Sequence, residues 1–171
     1  MFDHSDVRSN FPILSRQVNG KPLVYLDNGA SAQKPQVVID AISTAYSHEY
    51  ANVHRGLHYL SNLATDKYEN VRSIIARFLG VADERQIIMN SGTTEGINTV
   101  AYGWAMPRLQ PGDEILLSIM EHHANIVPWH FLRERQGVVV KWVETDAEGG
   151  LDPQTVIDAI TPRTKLLAIT Q

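Results

Sequence analysis

QIIMNSGTTEGIN, residues 86–98, is an apolar run that breaks at a glycine and restarts as a helix. Residues 86–90 are short, rich in Ile and free of Pro, which reads as a strand. From 93 to 106 the apolar residues Ile97, Val100, Ala101, Trp104 and Ala105 recur at helical spacing. Between them Gly92 allows the backbone close approach to a ligand, and the first-turn N–H groups of the following helix lack intrahelical partners. Thr93 and Thr94 add hydroxyls beside those amides. A phosphate at this turn would meet oriented amides, hydroxyls and the positive end of the helix dipole together. The same residues also suit an ordinary helix cap, and the turn alone leaves both readings open. Glu95 favours the helix dipole and is expected to point away from the turn while helping the helix start.

The strand-to-helix alternation continues through the rest of the chain. Strands are expected over 113–118, 138–143 and 165–170, and helices over 124–136 and 153–160, with Pro111-Gly112 and Gly149-Gly150 supplying breaks. Such alternation predicts an α/β fold with a mostly parallel sheet and flanking helices. Upstream, a short helix is expected over 3–10, a turn at Asn19-Gly20 and a strand over 23–26. The small-residue stretch 27–32 follows, then helices over 35–46 and 61–79, the second closed by Gly80. Residues 50–61 are irregular and rich in His, Asn and Gly. The strand at 165–170 is apolar and closes the sequence, so the domain is expected to be incomplete at its C-terminus. That uncovered edge also predicts poor solubility.

Composition narrows the functional classes. The chain has 171 residues, 43% hydrophobic and 20% charged, which suits one sizeable core. Its net charge is −4 and its basic residues are scattered, which argues against nucleic acid as a partner. The count of cysteines is 0, excluding a disulfide, a Cys-ligated metal and a cysteine nucleophile within these residues. Neither a signal-peptide core nor a membrane span is read, so a cytoplasmic protein is expected. The sequence contains neither the Gly-Lys-Ser/Thr loop of nucleotide triphosphatases nor a dinucleotide-binding Gly-x-Gly-x-x-Gly after a strand.

After the strand at 113–118 comes MEHHANIVPWH, residues 120–130. In open α/β sheets, ligands sit outside the carboxyl ends of the strands, which would bring this turn and the Gly92 turn to one edge. His122 and Thr93 could then share a pocket. A histidine at a strand end can equally be a satisfied surface residue, and here the two readings stand about even. His54 and His58 are spaced i, i+4, as two metal ligands on a helix would be, but Arg55 follows His54 and would repel a cation. With no third ligand in view, no metal site is expected. Arg55 suits an anionic substrate, its planar fork matching a carboxylate, or a surface ion pair with an acid.

Taken in order, FPILSRQVNGKPLVYLDNGASAQKP (11–35), NVHRGLHYLS (52–61), SGTTEGIN (91–98) and MEHHANIVPWH (120–130) resemble the class V aminotransferases, and among them the SufS-type cysteine desulfurases. The resemblance implies a fold type I pyridoxal 5'-phosphate (PLP) enzyme that takes sulfur from L-cysteine, or selenium from selenocysteine. It leaves L-alanine and an enzyme persulfide for iron-sulfur cluster assembly. It implies that Gly92, Thr93 and Thr94 hold the PLP phosphate and that His122 stacks over the pyridine ring as a catalytic residue. Asn28, His54 and Arg55 are implied as substrate-binding wall residues, and His123 as structural. Residues 1–60 would contribute to the active-site wall, and 61–171 would form part of the large PLP-binding domain. Two departures are Gly29, where many relatives carry Ala, and Ser91, where some carry Arg; neither removes a required group.

The resemblance further implies a homodimer and a Suf-type sulfur acceptor. The Schiff-base lysine, the acid that keeps the pyridine nitrogen protonated and the persulfide cysteine of such enzymes match no residue here. Lys21, Lys34, Lys67, Lys141 and Lys165 all stand in other contexts. The chain therefore reads as an N-terminal portion that is inactive by itself. Alternatives are another class V enzyme, kynureninase-like or epimerase-like, or a non-catalytic fragment.

Overall fold

The computed structural model describes residues 4–170, which divide into two compact units at the boundary between Ile87 and Ile88. The first unit opens with helix α1 (His4–Ser9) and a 3-10 turn, Pro12–Ser15. Asp3, the expected start of α1, lies outside the described residues. A two-residue antiparallel hairpin joins β1 (Gln17–Val18) to β2 (Lys21–Pro22). Its turn places Asn19 at φ 52° and Gly20 at φ 72°, the left-handed pair that a tight hairpin needs. Arg8 clips this region together by donating to the carbonyls of Leu14 (2.9 Å) and Leu23 (2.8 Å).

Residues 23–26 run without ladder partners, so the strand expected there does not form. Helix α2 (Gln36–Thr44) follows, continued by a π-helical turn, Ala45–Glu49, and then comes the long helix α3 (Tyr59–Phe78). Gly80, at φ 68°, closes α3, and Val81 N–H returns to the Ala76 carbonyl at 2.8 Å, satisfying an orphan acceptor of the last turn.

A further departure spans the boundary between the two units in the sequence. Residues 87–90 carry no strand pairing, and 84–86 form a 3-10 turn. Ile-rich sequence favours extended backbone, but a strand exists only where a neighbour supplies a ladder. Helix α4 (Thr93–Thr99) runs on through a π-helical segment, Val100–Ala105. Then come β3 (Glu114–Ser118), a 3-10 turn at His123–Asn125, α5 (Val127–Gln136), β4 (Val139–Val143), α6 (Pro153–Ala159) and β5 (Thr164–Ala168).

The three longer strands form one parallel sheet in the order β4-β3-β5, with Leu117 level with Trp142 on one side and Ala168 on the other. Every residue of central β3 is buried. Ile115 and Leu117 pack with Ala101, Ala105, Trp129 and Leu132, whereas Leu116, on the opposite face, packs with Val143 and Val156. Period-2 alternation in one apolar strand thus serves two cores, as a sheet covered on both faces requires. The unit is an α/β fold with a parallel sheet flanked by helices, as the alternation predicts.

The start of β3 is pinned by a buried acid. Glu114 accepts hydrogen bonds from the hydroxyls of Thr161 (2.7 Å) and Thr164 (3.1 Å), and pairs with Arg163 (3.0 Å) and Lys141 (3.5 Å). The Thr161 hydroxyl leads the partners that hold its carboxyl below the usual glutamate value.

Candidate functional site

Gly92 adopts φ 142° and ψ 174°, a conformation open to glycine and strained for other residues. This bend turns the chain into α4. Its own N–H is taken by the Asn90 side chain at 2.9 Å. Among the described residues nothing accepts from the N–H groups of Thr93, Thr94 and Glu95, nor do the two threonine hydroxyls make a hydrogen bond; Gly96 N–H is the first to return to the turn, at the Gly92 carbonyl (3.1 Å). Three outward amides and two free hydroxyls at one helix start fit a phosphate. An ideal Cβ on Gly92 would meet no heavy atom within 4 Å, so the space beside the turn is open.

Glu95 departs from expectation. Its carboxylate folds back to accept from Ser91 N–H at 2.6 Å and from the Ser91 hydroxyl. The amide of Ser91 has no other acceptor, so the first-turn acid supplies one. The Ser91 hydroxyl, and then its amide, hold the Glu95 carboxyl below the usual value.

The turn after β3 lies beside this one, since α4 packs against His123–Asn125. His122 caps that 3-10 turn: its Nδ1 accepts from Ala124 N–H at 3.1 Å, and its carbonyl accepts from Asn125 N–H at 2.7 Å. The acceptor role of Nδ1 assigns the ring proton to Nε2. Gly92, Thr93, Thr94 and His122 therefore share one unit and one neighbourhood. Glu121, which sequence reasoning passed over, is 7% exposed and bonded to Ser118, Asn125 and Thr170. Burial pushes its carboxyl up, yet those hydrogen bonds together outweigh burial and leave it below the usual value. A Glu beside a His at a strand end was the available signal.

Asn28, His54 and Arg55 belong to the first unit. Asn28 lines a pocket of about 400 Å³ with Arg8, Phe11, Tyr25 and Gln33, and its Oδ1 accepts from Gln33 N–H at 3.4 Å. His54 sits at φ 68°, in the left-handed region, with Nε2 3.3 Å from Glu69 Oε1 and its ring edge-on to Tyr68. Arg55 is exposed and makes no hydrogen bond or ion pair with a described residue. The loop carrying both is fastened to α3. Thr65 Oγ1 accepts from His54 N–H (2.9 Å), and the buried Ser61 hydroxyl accepts from Gly56 N–H (3.0 Å) and donates to the Asn52 carbonyl (2.6 Å). Ser61 and Thr65 are thus further positioning residues, hidden in the sequence because their partners lie in a loop without periodicity. His54 and His58 do not share a helical face: His58 is the N-cap of α3.

Neither lysine of the second unit reaches the turns at 92–94 and 120–125. Lys141 extends to Glu114 and to the Ala159 carbonyl (3.2 Å), and Lys165 donates to the Pro162 carbonyl (3.0 Å), both at the opposite end of the strands. No helix of the described residues is long and apolar enough to cross a membrane.

Comparison with known proteins connects this arrangement to a family. Residues 24–171 match the model of the aminotransferase class-V family. The chain is 50% identical over 171 residues to a protein named probable cysteine desulfurase 1 of Mycobacterium leprae, covering 100% of this chain and 28% of that protein. It is also 50% identical over 169 residues to a cysteine desulfurase of Salmonella newport, covering 99% of this chain and 42% of the relative. Among solved structures, an apo cysteine desulfurase from Thermococcus onnurineus superposes with a TM-score of 0.87 at 35% identity, over 99% of this chain and 40% of that one. The chain thus spans less than half the length of these relatives, and its parallel sheet with flanking helices is the fold of type I PLP enzymes. On the strength of the family match and of these likenesses, the chain belongs to the aminotransferase class-V family and is cysteine-desulfurase-like.

Proposed function

We propose that this chain is part of a PLP-dependent cysteine desulfurase of the SufS type, which converts L-cysteine, or selenocysteine, to L-alanine and an enzyme persulfide for iron-sulfur cluster assembly. The observation that carries the reading is the row of unpartnered amides at Thr93, Thr94 and Glu95, set beside His122 in a chain 50% identical to a probable cysteine desulfurase. When bound, PLP supplies the electron sink for the substrate carbon.

In this reading the amides and hydroxyls of Thr93 and Thr94 hold the phosphate, and the bend at Gly92 aims them. His122, with Nδ1 engaged by Ala124, presents Nε2 as the atom that holds or moves a proton over the pyridine ring. Arg55 has a free guanidinium for the substrate carboxylate, and Asn28 and His54 complete the wall. Residues 1–60 contribute that wall and 61–171 belong to the PLP-binding domain. The parent is a cytoplasmic homodimer that passes sulfur to a Suf-type acceptor protein. By itself the chain is inactive, because it has 0 cysteines and its lysines at 141 and 165 are committed to the far end of the sheet.

The test uses pyridoxine 5'-phosphate, which lacks the aldehyde and forms no lysine adducts, against pyridoxine. Charge-assisted hydrogen bonds of ~1.5–3 kcal/mol each predict at least about tenfold tighter binding of the phosphate ester. Replacing both threonines, Thr93→Ala with Thr94→Ala, should narrow the gap. Equal affinity for the two compounds would overturn the phosphate assignment. Borohydride treatment after PLP addition should fix no adduct at a single lysine of this chain.

A further inference from the structure

The side chain next to His122 has no place in the proposed chemistry, yet it is the most heavily bonded acid at that end of the sheet. Glu121 Oε1 accepts from Ser118 Oγ (2.6 Å) and Thr170 N–H (2.9 Å), and Oε2 accepts from Asn125 Nδ2 (2.8 Å) and Thr170 Oγ1 (2.8 Å). Among the described residues no Lys, Arg or His pairs with it. A buried carboxylate without a cation persists only where neutral donors replace its lost hydration.

Those donors come from three places: the last residue of β3, the turn that His122 opens, and the segment beyond β5. Asn125 has no slack either, since its Nδ2 also donates to the Ala168 carbonyl (3.2 Å) and its Oδ1 accepts from Trp129 Nε1 (3.0 Å). His122 lies between these two anchored residues. The residue before it is held by Glu121's own four bonds, and the residue three after it is held by Glu121, Ala168 and Trp129.

We propose that Glu121 is a positioning residue for His122: its carboxylate locks the His122–Asn125 turn to the ends of β3 and β5, so that Nδ1 stays committed to Ala124 N–H and Nε2–H faces outward. The inference rests on the proposed role of His122 and assigns the group that keeps its tautomer and direction. A tie that only stabilised the sheet would not govern the imidazole tautomer.

The measurement is nitrogen NMR of the 171-residue chain, labelled at histidine, at about pH 8.5, above the ordinary histidine value of about 6.5. His122 in the unchanged chain should show a hydrogen-bonded, unprotonated Nδ1. Glu121→Gln cannot present four acceptor sites, so this signature should be lost or weakened while His130 keeps its own. Glu114→Gln disrupts the opposite end of β3 and serves as the control of like burial; it should leave His122 unmoved. An unchanged His122 signal in folded Glu121→Gln, or an equal change in Glu114→Gln, would overturn the proposal. Should Glu121→Gln not fold, Thr170→Val, which removes one donor, decides: a shift of the same sign supports the inference and no shift defeats it. No cofactor enters this experiment, so a failure of pyridoxine 5'-phosphate binding and a failure of the Glu121 inference are separately visible.

Discussion

The carboxylate of Glu121 takes two hydrogen bonds from Thr170, 2.9 Å from its N–H and 2.8 Å from its hydroxyl, across 49 residues of sequence. That pair joins the ends of two adjacent parallel strands on the side where both candidate turns emerge. A carboxyl held below its unfolded value of about 4.3 contributes stability that is full above that pH and is lost as pH falls through the folded value. The melting-temperature advantage of the unchanged chain over Glu121→Gln should therefore be largest near neutrality and shrink below about pH 4. Melts across that range check it, and a difference independent of pH would refute it.

Gly92→Ala should destabilise the start of α4 by about 1–3 kcal/mol, through backbone strain, since the space beside it is open. Gly103→Ala, inside the helical segment with equally open space and no positive φ, should be neutral or stabilising by up to about 1 kcal/mol. Denaturant titrations of both variants should give opposite signs.

Ser61→Ala leaves the half-buried Gly56 N–H and the Asn52 carbonyl without their partner, a loss of about 0.5–1.5 kcal/mol. The loop bearing His54 and Arg55 should loosen. Faster amide exchange at Gly56 and quicker tryptic cleavage after Arg55 are the expected readouts. Ser47→Ala, on an exposed helical surface, should change stability by less than about 0.5 kcal/mol.

Leu167 is 41% exposed on β5, an edge of the described sheet, where an apolar side chain invites pairing with other chains. Leu167→Lys should raise the concentration at which the chain stays monodisperse, measured by light scattering. No gain in solubility would count against edge association as the cause.

How much of this could be seen in the sequence depended on how local each feature was. The helices from Thr93 onward and the three parallel strands were legible because 3.6- and 2-residue periods survive inside single segments. Residues 23–26 and 87–90 have equally good strand composition but no ladder partner, which composition does not encode. At the site, Gly92 and His122 stood out because each follows an apolar run. Glu121 did not, since its donors at Ser118 and Thr170 meet only once β3 and β5 are in register. Ser61 and Thr65 were hidden for the same reason, as were the fold-back of Glu95 and the π-helical turns.

The two buried acids, Glu114 at the start of β3 and Glu121 just beyond its end, differ in what neutralises them. Glu114 leans partly on cations, including Arg163, whose side chain is 72% exposed, whereas Glu121 is held by neutral donors alone. Dissolved ions screen the first kind of contact and have little purchase on the second. Rising ionic strength should therefore loosen the strand from its Glu114 end while the end next to His122 keeps its grip, so that concentrated salt would weaken the scaffold before it disturbed the turn.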